Sequence, residues 1–252
     1  AHNPHRSADG VTEADRNADA LRAEADELAR RGKRDAAFAR MAEAMALASD
    51  GNVKVRLASG MLHARFGRMN KALEQYRAAI RVGQSLSRQR RADASRYLAM
   101  AHNNICVELD ATGAAVEAYK HCQEATRMLD SFWYPHKTLG LICDKWSRAD
   151  EAKAHYLRAY AISGNSALRL HAATLLPLVH TGAEAAAKHR RDMDRDLDAM
   201  LQEDVHIKDP LGDLVTVPHF YSAFFGTSNV NLYQKMAQVM LRSDRGKPAD
   251  TS

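Results

Sequence analysis

Apolar residues between positions 18 and 164 recur three and four apart, and polar turns interrupt them at regular intervals. That spacing predicts amphipathic helices. Four segments share one frame: "RRGKRDAAFARMAEAMAL" (30–47), "RFGRMNKALEQYRAAIRV" (65–82), "DATGAAVEAYKHCQEATRML" (110–129) and "DKWSRADEAKAHYLRAYAI" (144–162). Each places Gly or Ser first, Ala five residues on, a large residue four later and Ala three after that. The frame reads Gly32/Ala37/Met41/Ala44, Gly67/Ala72/Tyr76/Ala79, Gly113/Ala118/Cys122/Ala125 and Ser147/Ala152/Tyr156/Ala159. Units one and two are 35 residues apart and units three and four are 34 apart. Glycine fits a tight interhelical turn. Small residues let paired helices approach, and a large one fills the space between. Such pairs cannot bury their faces alone, so stacking is expected.

This frame, with the small residues Ser59-Gly60 and "TLGLIC" (138–143) in the preceding helices, resembles tetratricopeptide repeats. Repeat one departs from the pattern, carrying Glu24 and Ala25 in place of the usual Leu and Gly. The resemblance implies an all-α, right-handed repeat superhelix, here with a C-terminal helical and aromatic cap. Four regions are expected: a disordered lead-in (1–15), four repeats (16–164), a helical linker or cap (165–242) and a polar tail (243–252). Twelve extra residues separate units two and three, around "SLSRQRRADASRY" (85–97). Arg88, Arg90, Arg91 and Arg96 make this insertion basic. It reads as a solvated helix or loop, or else as a docking patch for an acidic partner. Nucleic acid fits it less well, because no aromatics interleave with the charges.

After the repeats come the leucine-rich "NSALRLHAATLLPLV" (165–179), a long charged helix (182–204) and "KDPLGDLVTVPHFYSAFFGTSNVNLYQKMA" (208–237). This order resembles the linker of bacterial proteins related to O-linked N-acetylglucosamine transferases. Those carry Tyr-His-Gly where this chain has Phe224-Phe225-Gly226. Their catalytic residues would lie beyond residue 252, so the resemblance places none here. The aromatic stretch from Phe220 to Tyr233 reads as a solenoid cap or a bridge to such a domain, the alternative being a ligand pocket.

Composition narrows the function. There is no nucleophile elbow, phosphate loop, dinucleotide fingerprint or His-Glu-x-x-His, so no catalytic, cofactor or metal residues are assigned. No 18-residue apolar run occurs, and residues 1–20 lack a signal-peptide core. Cys106, Cys122 and Cys143 form no C-x-x-C pair and read as buried core residues. A cytoplasmic protein is expected. The formal charge of +5 permits acidic partners without requiring nucleic acid. His102 and His136, 34 apart, are expected near each other on neighbouring helices, and "DMDRDLD" (192–198) reads as a solvated face.

The remaining candidates are the concave positions of the first helices: Lys54, Leu57, Met61, Arg65, Met100, Asn103, Val107, Asp110, Tyr134, Lys137, Leu141 and Lys145. Apolar members suit side chains of a bound peptide, and the cations suit an acidic segment or carboxylate. The expected function is capture of a protein or peptide on the concave face. The alternative is the recognition part of a glycosyltransferase-like enzyme with its sugar-nucleotide domain elsewhere. Self-association through the ends is a third reading.

Overall fold

A computed structural model describes residues 12–49, 52–175, 182–203, 205, 207 and 229–241. These residues form helices and no strands, in two compact units divided after Asp130. Unit 1 holds three helical hairpins: α1 (Glu13–Arg30) with α2 (Arg34–Leu47), α3 (Val53–Arg65) with α4 (Met69–Ser85), and α5 (Arg88–Ala111) with α6 (Ala115–Met128). Unit 2 holds the hairpin α7 (Trp133–Lys145) and α8 (Ala149–Ser163), then α9 (Ser166–Thr174), α10 (Ala183–Gln202) and α11 (Val230–Leu241). The lead-in to residue 11, the aromatic stretch 214–228 and the tail from 242 lie outside the described residues.

One turn closes all four hairpins. Gly32, Gly67 and Gly113 sit at φ of 72°, 70° and 85°, and Ser147 occupies the same left-handed region at 60°. Each turn repeats a bond that satisfies one of the last carbonyls of the first helix. Lys33 N–H donates to Leu28 C=O, Arg68 to His63, Ala114 to Leu109 and Arg148 to Cys143, all at 2.9 Å. Ser147 bears a steric cost there that glycine avoids.

Volume complementarity then joins the helices. Residues 16 apart face each other at the closest approach: Ala25 with Met41, Gly60 with Tyr76, Cys106 with Cys122, and Gly140 with Tyr156. A Cβ on Gly60 would lie 2.4 Å from the Tyr76 ring, and one on Gly140 2.9 Å from the Tyr156 ring. Large and small therefore alternate across the interface, which sets the spacing of the pair. The flanking Ala37, Ala72, Ala118 and Ala152, with Ala44, Ala79, Ala125 and Ala159, are all fully buried.

At this slot Cys106 and Cys122 are bonded as a disulfide, with Cα atoms 5.4 Å apart. The expectation of two independent core thiols is thereby corrected. The small and large positions bring both sulfurs to the tightest point of the hairpin. Cys143 is free and buried.

The basic insertion is helical. α5 has 24 residues where α3 and α7 have 13 each, so the extra chain lengthens its N-terminal end. Arg88, Arg90 and Arg96 are exposed. Arg91 instead caps α4: its guanidinium donates to the carbonyls of Gly83 at 3.3 Å and Leu86 at 3.2 Å, and to that of Gln84.

In unit 2, Leu170, Met193, Leu197, Met200, Leu232, Met236 and Val239 build one core from α9, α10 and α11. The aspartates of α10 are not merely solvated. Asp194 and Asp198, one turn apart, both hold Lys235 of α11, at 2.6 and 2.7 Å. Asp196 reaches Lys153 of α8 at 2.6 Å. The alternating acids serve two different faces, as helical geometry requires. Among the described residues no helix is long and apolar enough to cross a membrane.

Candidate functional site

The first helices of unit 1 leave a groove of about 670 Å³. α1 contributes Arg22, Asp26, Ala29 and Arg30. α3 contributes Lys54, Leu57, Ala58, Met61, Leu62, Ala64 and Arg65. α5 contributes Tyr97, Met100, Asn104, Val107 and Glu108, and Tyr76 of α4 reaches the floor. These residues share a face because each first helix packs its opposite side against its hairpin partner. Helical spacing of three and four then brings Leu57, Met61 and Ala64 into one row and Met100, Asn104 and Val107 into another.

The groove has an apolar wall and a polar rim. Met61 and Val107 are each 45% exposed, which is high for side chains of their type on a helix surrounded by other helices. Leu57, at 3% exposure, forms the floor beneath them. The rim cations are largely engaged. Lys54 Nζ lies 2.6 Å from Asp19, and Arg22 lies 2.8 Å from Asp26. Arg30 lies 2.9 Å from Glu27. Lys54 also stands over the Tyr97 ring at 6.0 Å. Arg65 has no acidic partner among the described residues.

Deeper in the groove lies an unmatched carboxylate. Glu108 is half-buried and makes no side-chain hydrogen bond or ion pair with the described residues. Burial pushes its carboxyl above the usual range. Burial and the neighbouring Glu108 push the Tyr76 phenol up, while the Asn104 side chain hydrogen-bonded to it acts the other way. Tyr76, Asn104 and Glu108 thus form one polar cluster on an otherwise apolar floor.

Of the sequence candidates, Lys54, Leu57, Met61, Arg65, Met100 and Val107 line this groove. Asn103 does not: it is 7% exposed, and its amide donates to Asn104 Oδ1 at 3.4 Å. Asn104, the next residue round the helix, takes the lining position. Asp110 also lies off the groove wall. Tyr134, Lys137, Leu141 and Lys145 belong to α7 in unit 2, where Tyr134 is half exposed and stacks on Trp133 at 3.7 Å. The sequence reading missed the contribution of α1, because repeat one departs from the frame. It also missed Tyr97, which lies in the lengthened start of α5, and Glu108.

The histidines pair differently from the expectation. His102 faces His121 within unit 1, Nδ1 to Nδ1 at 2.9 Å, and His136 faces His155 within unit 2 at 3.4 Å. Each pair spans the two helices of one hairpin, 19 residues apart. Burial, and then the neighbouring imidazole, lower His102 to about 4. Among the described residues no group of three His, Cys, Asp or Glu side chains is arranged to hold a metal ion.

Searches against protein-family models and curated protein sequences find no match to this chain. Solved structures do match. PilF of Pseudomonas aeruginosa is 16% identical, covering 90% of this chain and 88% of its own, with a TM-score of 0.59. BtubC (BKLC) from P. vanneervenii is 16% identical, covering 81% of this chain and 94% of its own, with a TM-score of 0.54. TTC0263, a thermophilic TPR protein of Thermus thermophilus, is 14% identical over 89% of this chain and 99% of its own, with a TM-score of 0.47. Identities this low speak to architecture alone. Together with four hairpins closed by one recurring turn, the likeness to PilF makes this an all-α fold of the tetratricopeptide-repeat type.

Proposed function

We propose that this chain is a protein-interaction module that captures a segment of a partner protein in the groove of unit 1. The observation carrying this reading is the groove's composition. Met61 and Val107 stand exposed beside half-buried Met100 and Tyr97, over a packed floor. Apolar side chains held out by well-packed helices offer contact area without a backbone ordering cost. Methionines add adaptable packing against varied side chains. No step of chemistry is assigned to the groove, and its residues suit reversible binding.

The test is selection of peptides from a displayed library of random 12-residue sequences on the immobilised full chain. Peptides that enrich and then bind at least tenfold more weakly to Met61→Asp and Val107→Asp would support the reading. Both positions are exposed, so the substitutions leave the core intact. Binding indifferent to both changes would refute it. The exposed Arg88, Arg90 and Arg96 form a second candidate contact on the same unit, tested by the same selection with those residues changed to Glu. The role as the recognition part of a glycosyltransferase-like protein rests on the sequence likeness at 165–240. An open reading frame lacking any downstream sugar-nucleotide domain would remove it.

A further inference from the structure

The groove's charges are unevenly satisfied, and the imbalance points to what its occupant carries. Arg22, Arg30 and Lys54 already face Asp26, Glu27 and Asp19 at 2.6–2.9 Å. An acidic ligand would have to compete with these carboxylates for each cation. Glu108 is the opposite case: a half-buried carboxylate in the groove with neither a cation nor a donor from the described residues. Removing a carboxylate from water without a partner is unfavourable, and a cation arriving there recovers that loss. The surroundings suit a long aliphatic stem with a charged end. Met61, Met100 and Val107 offer apolar contact, while Tyr76 and Asn104 supply oxygen atoms beside the carboxylate.

We propose that the groove binds its partner segment through a lysine or arginine side chain seated on Glu108, with flanking apolar residues of that segment on Met61, Met100 and Val107. This rests on the groove being the binding site, and it reverses the expectation of an acidic partner. Charge complementarity assigns the occupant: the rim cations Arg22, Arg30 and Lys54 face carboxylates of α1, the unpaired Arg65 is exposed to water, and the unpaired charge that is half-buried, Glu108, is negative.

The experiment uses the full chain and the 12-residue peptides enriched on it. The enriched set should share a Lys or Arg flanked by apolar residues. Glu108→Gln should weaken a chosen peptide at least tenfold, and replacing its basic residue by norleucine should weaken it equally. The two changes together should be no worse than either alone, as a double-mutant cycle requires for a direct pair. A thermal midpoint of Glu108→Gln at or above the parent's confirms that the fold is intact. Enriched peptides without a basic residue would overturn the inference. So would unchanged affinity in Glu108→Gln while Met61→Asp abolishes binding, and in both cases the groove reading survives. Peptides insensitive to Met61→Asp and Val107→Asp would remove the groove reading and this inference together.

Discussion

Gly60→Ala isolates the packing rule that organises every hairpin. A methyl group there would stand 2.4 and 2.5 Å from two Tyr76 ring carbons and 3.2 Å from the Ala72 carbonyl oxygen. Optimal carbon contacts lie near ~3.5–4.0 Å, so something must move by about an ångström. Tyr76 is 2% exposed and closed in by α3 and α4, so the ring cannot swing into solvent. Overpacking of this kind costs about 1–3 kcal/mol. Alanine's better helix propensity offsets roughly 1 kcal/mol. The clash sits at the severe end, so a net loss of about 2 kcal/mol is expected. Gly140→Ala meets Tyr156 only at 2.9–3.0 Å and should come out within roughly 0.5 kcal/mol of neutral. The first hairpin supplies a natural rescue, because it uses Ala25 opposite Met41 in the same slot. Gly60→Ala combined with Tyr76→Met should therefore be more stable than the sum of the single losses by at least about 1 kcal/mol. Urea denaturation followed by far-ultraviolet circular dichroism reads the parent and each variant. Additive losses, or a Gly60→Ala variant more stable than the parent, would refute the account of helix spacing.

Other consequences follow from separate parts of the structure. Reduction of Cys106–Cys122 by dithiothreitol, with closure of a short loop at stake, should lower stability by about 2–3 kcal/mol; an air-oxidised protein whose intact mass after alkylation shows three labelled thiols would contradict the pairing. Lys235→Met leaves Asp194 and Asp198 facing each other without their shared cation, so amide exchange in 230–241 should speed up while α1–α6 is unchanged; uniform protection in both proteins would oppose this. His102 and His121 are both held below their ordinary pKa, His102 at about 4, so the unfolded chain takes up protons first as pH falls. Stability should therefore drop between pH 6.5 and about 4, and His102→Gln should flatten that slope; an unchanged slope would dismiss the pair as its source. Ser147→Gly should stabilise by roughly 0.5–1 kcal/mol, because glycine takes a φ of 60° without steric cost; a loss in thermal midpoint would count against that strain.

The repeat was readable because it is written in residues that only one geometry explains. Glycine at fixed intervals marks the left-handed turn, and the small and large slots mark the helix interface. The same slots held the disulfide in plain view: Cys106 occupies the small position and Cys122 the large one, 16 residues apart like Gly60 and Tyr76. The sequence reading treated them as separate core residues because it did not pair the slots across the hairpin. His121 and His155 repeat at the same 34-residue interval as His102 and His136, yet a pattern read along one helix does not show which residue faces it from the next. The groove was legible in α3 and α5, where Leu57 and Met61, and Met100 and Val107, recur at helical spacing on one face. Asn103 was placed one residue out of register because rotation about a helix axis changes by about 100° per residue. Arg91's capping bonds depend on the lengthened α5, whose start the residue pattern alone did not fix, and Glu108's isolation depends on which side chains the neighbouring helices bring to it.

The central claim, that unit 1 captures a partner segment, is tested most directly by photo-crosslinking in the cells that make this protein. A photoreactive side chain would be placed at Met61, at Val107 and, as a control, at Val116 of α6, which is exposed but outside the groove. The account predicts one shared crosslinked partner from the two groove positions, absent from the control. Identical products from all three positions, or none from the groove, would contradict it.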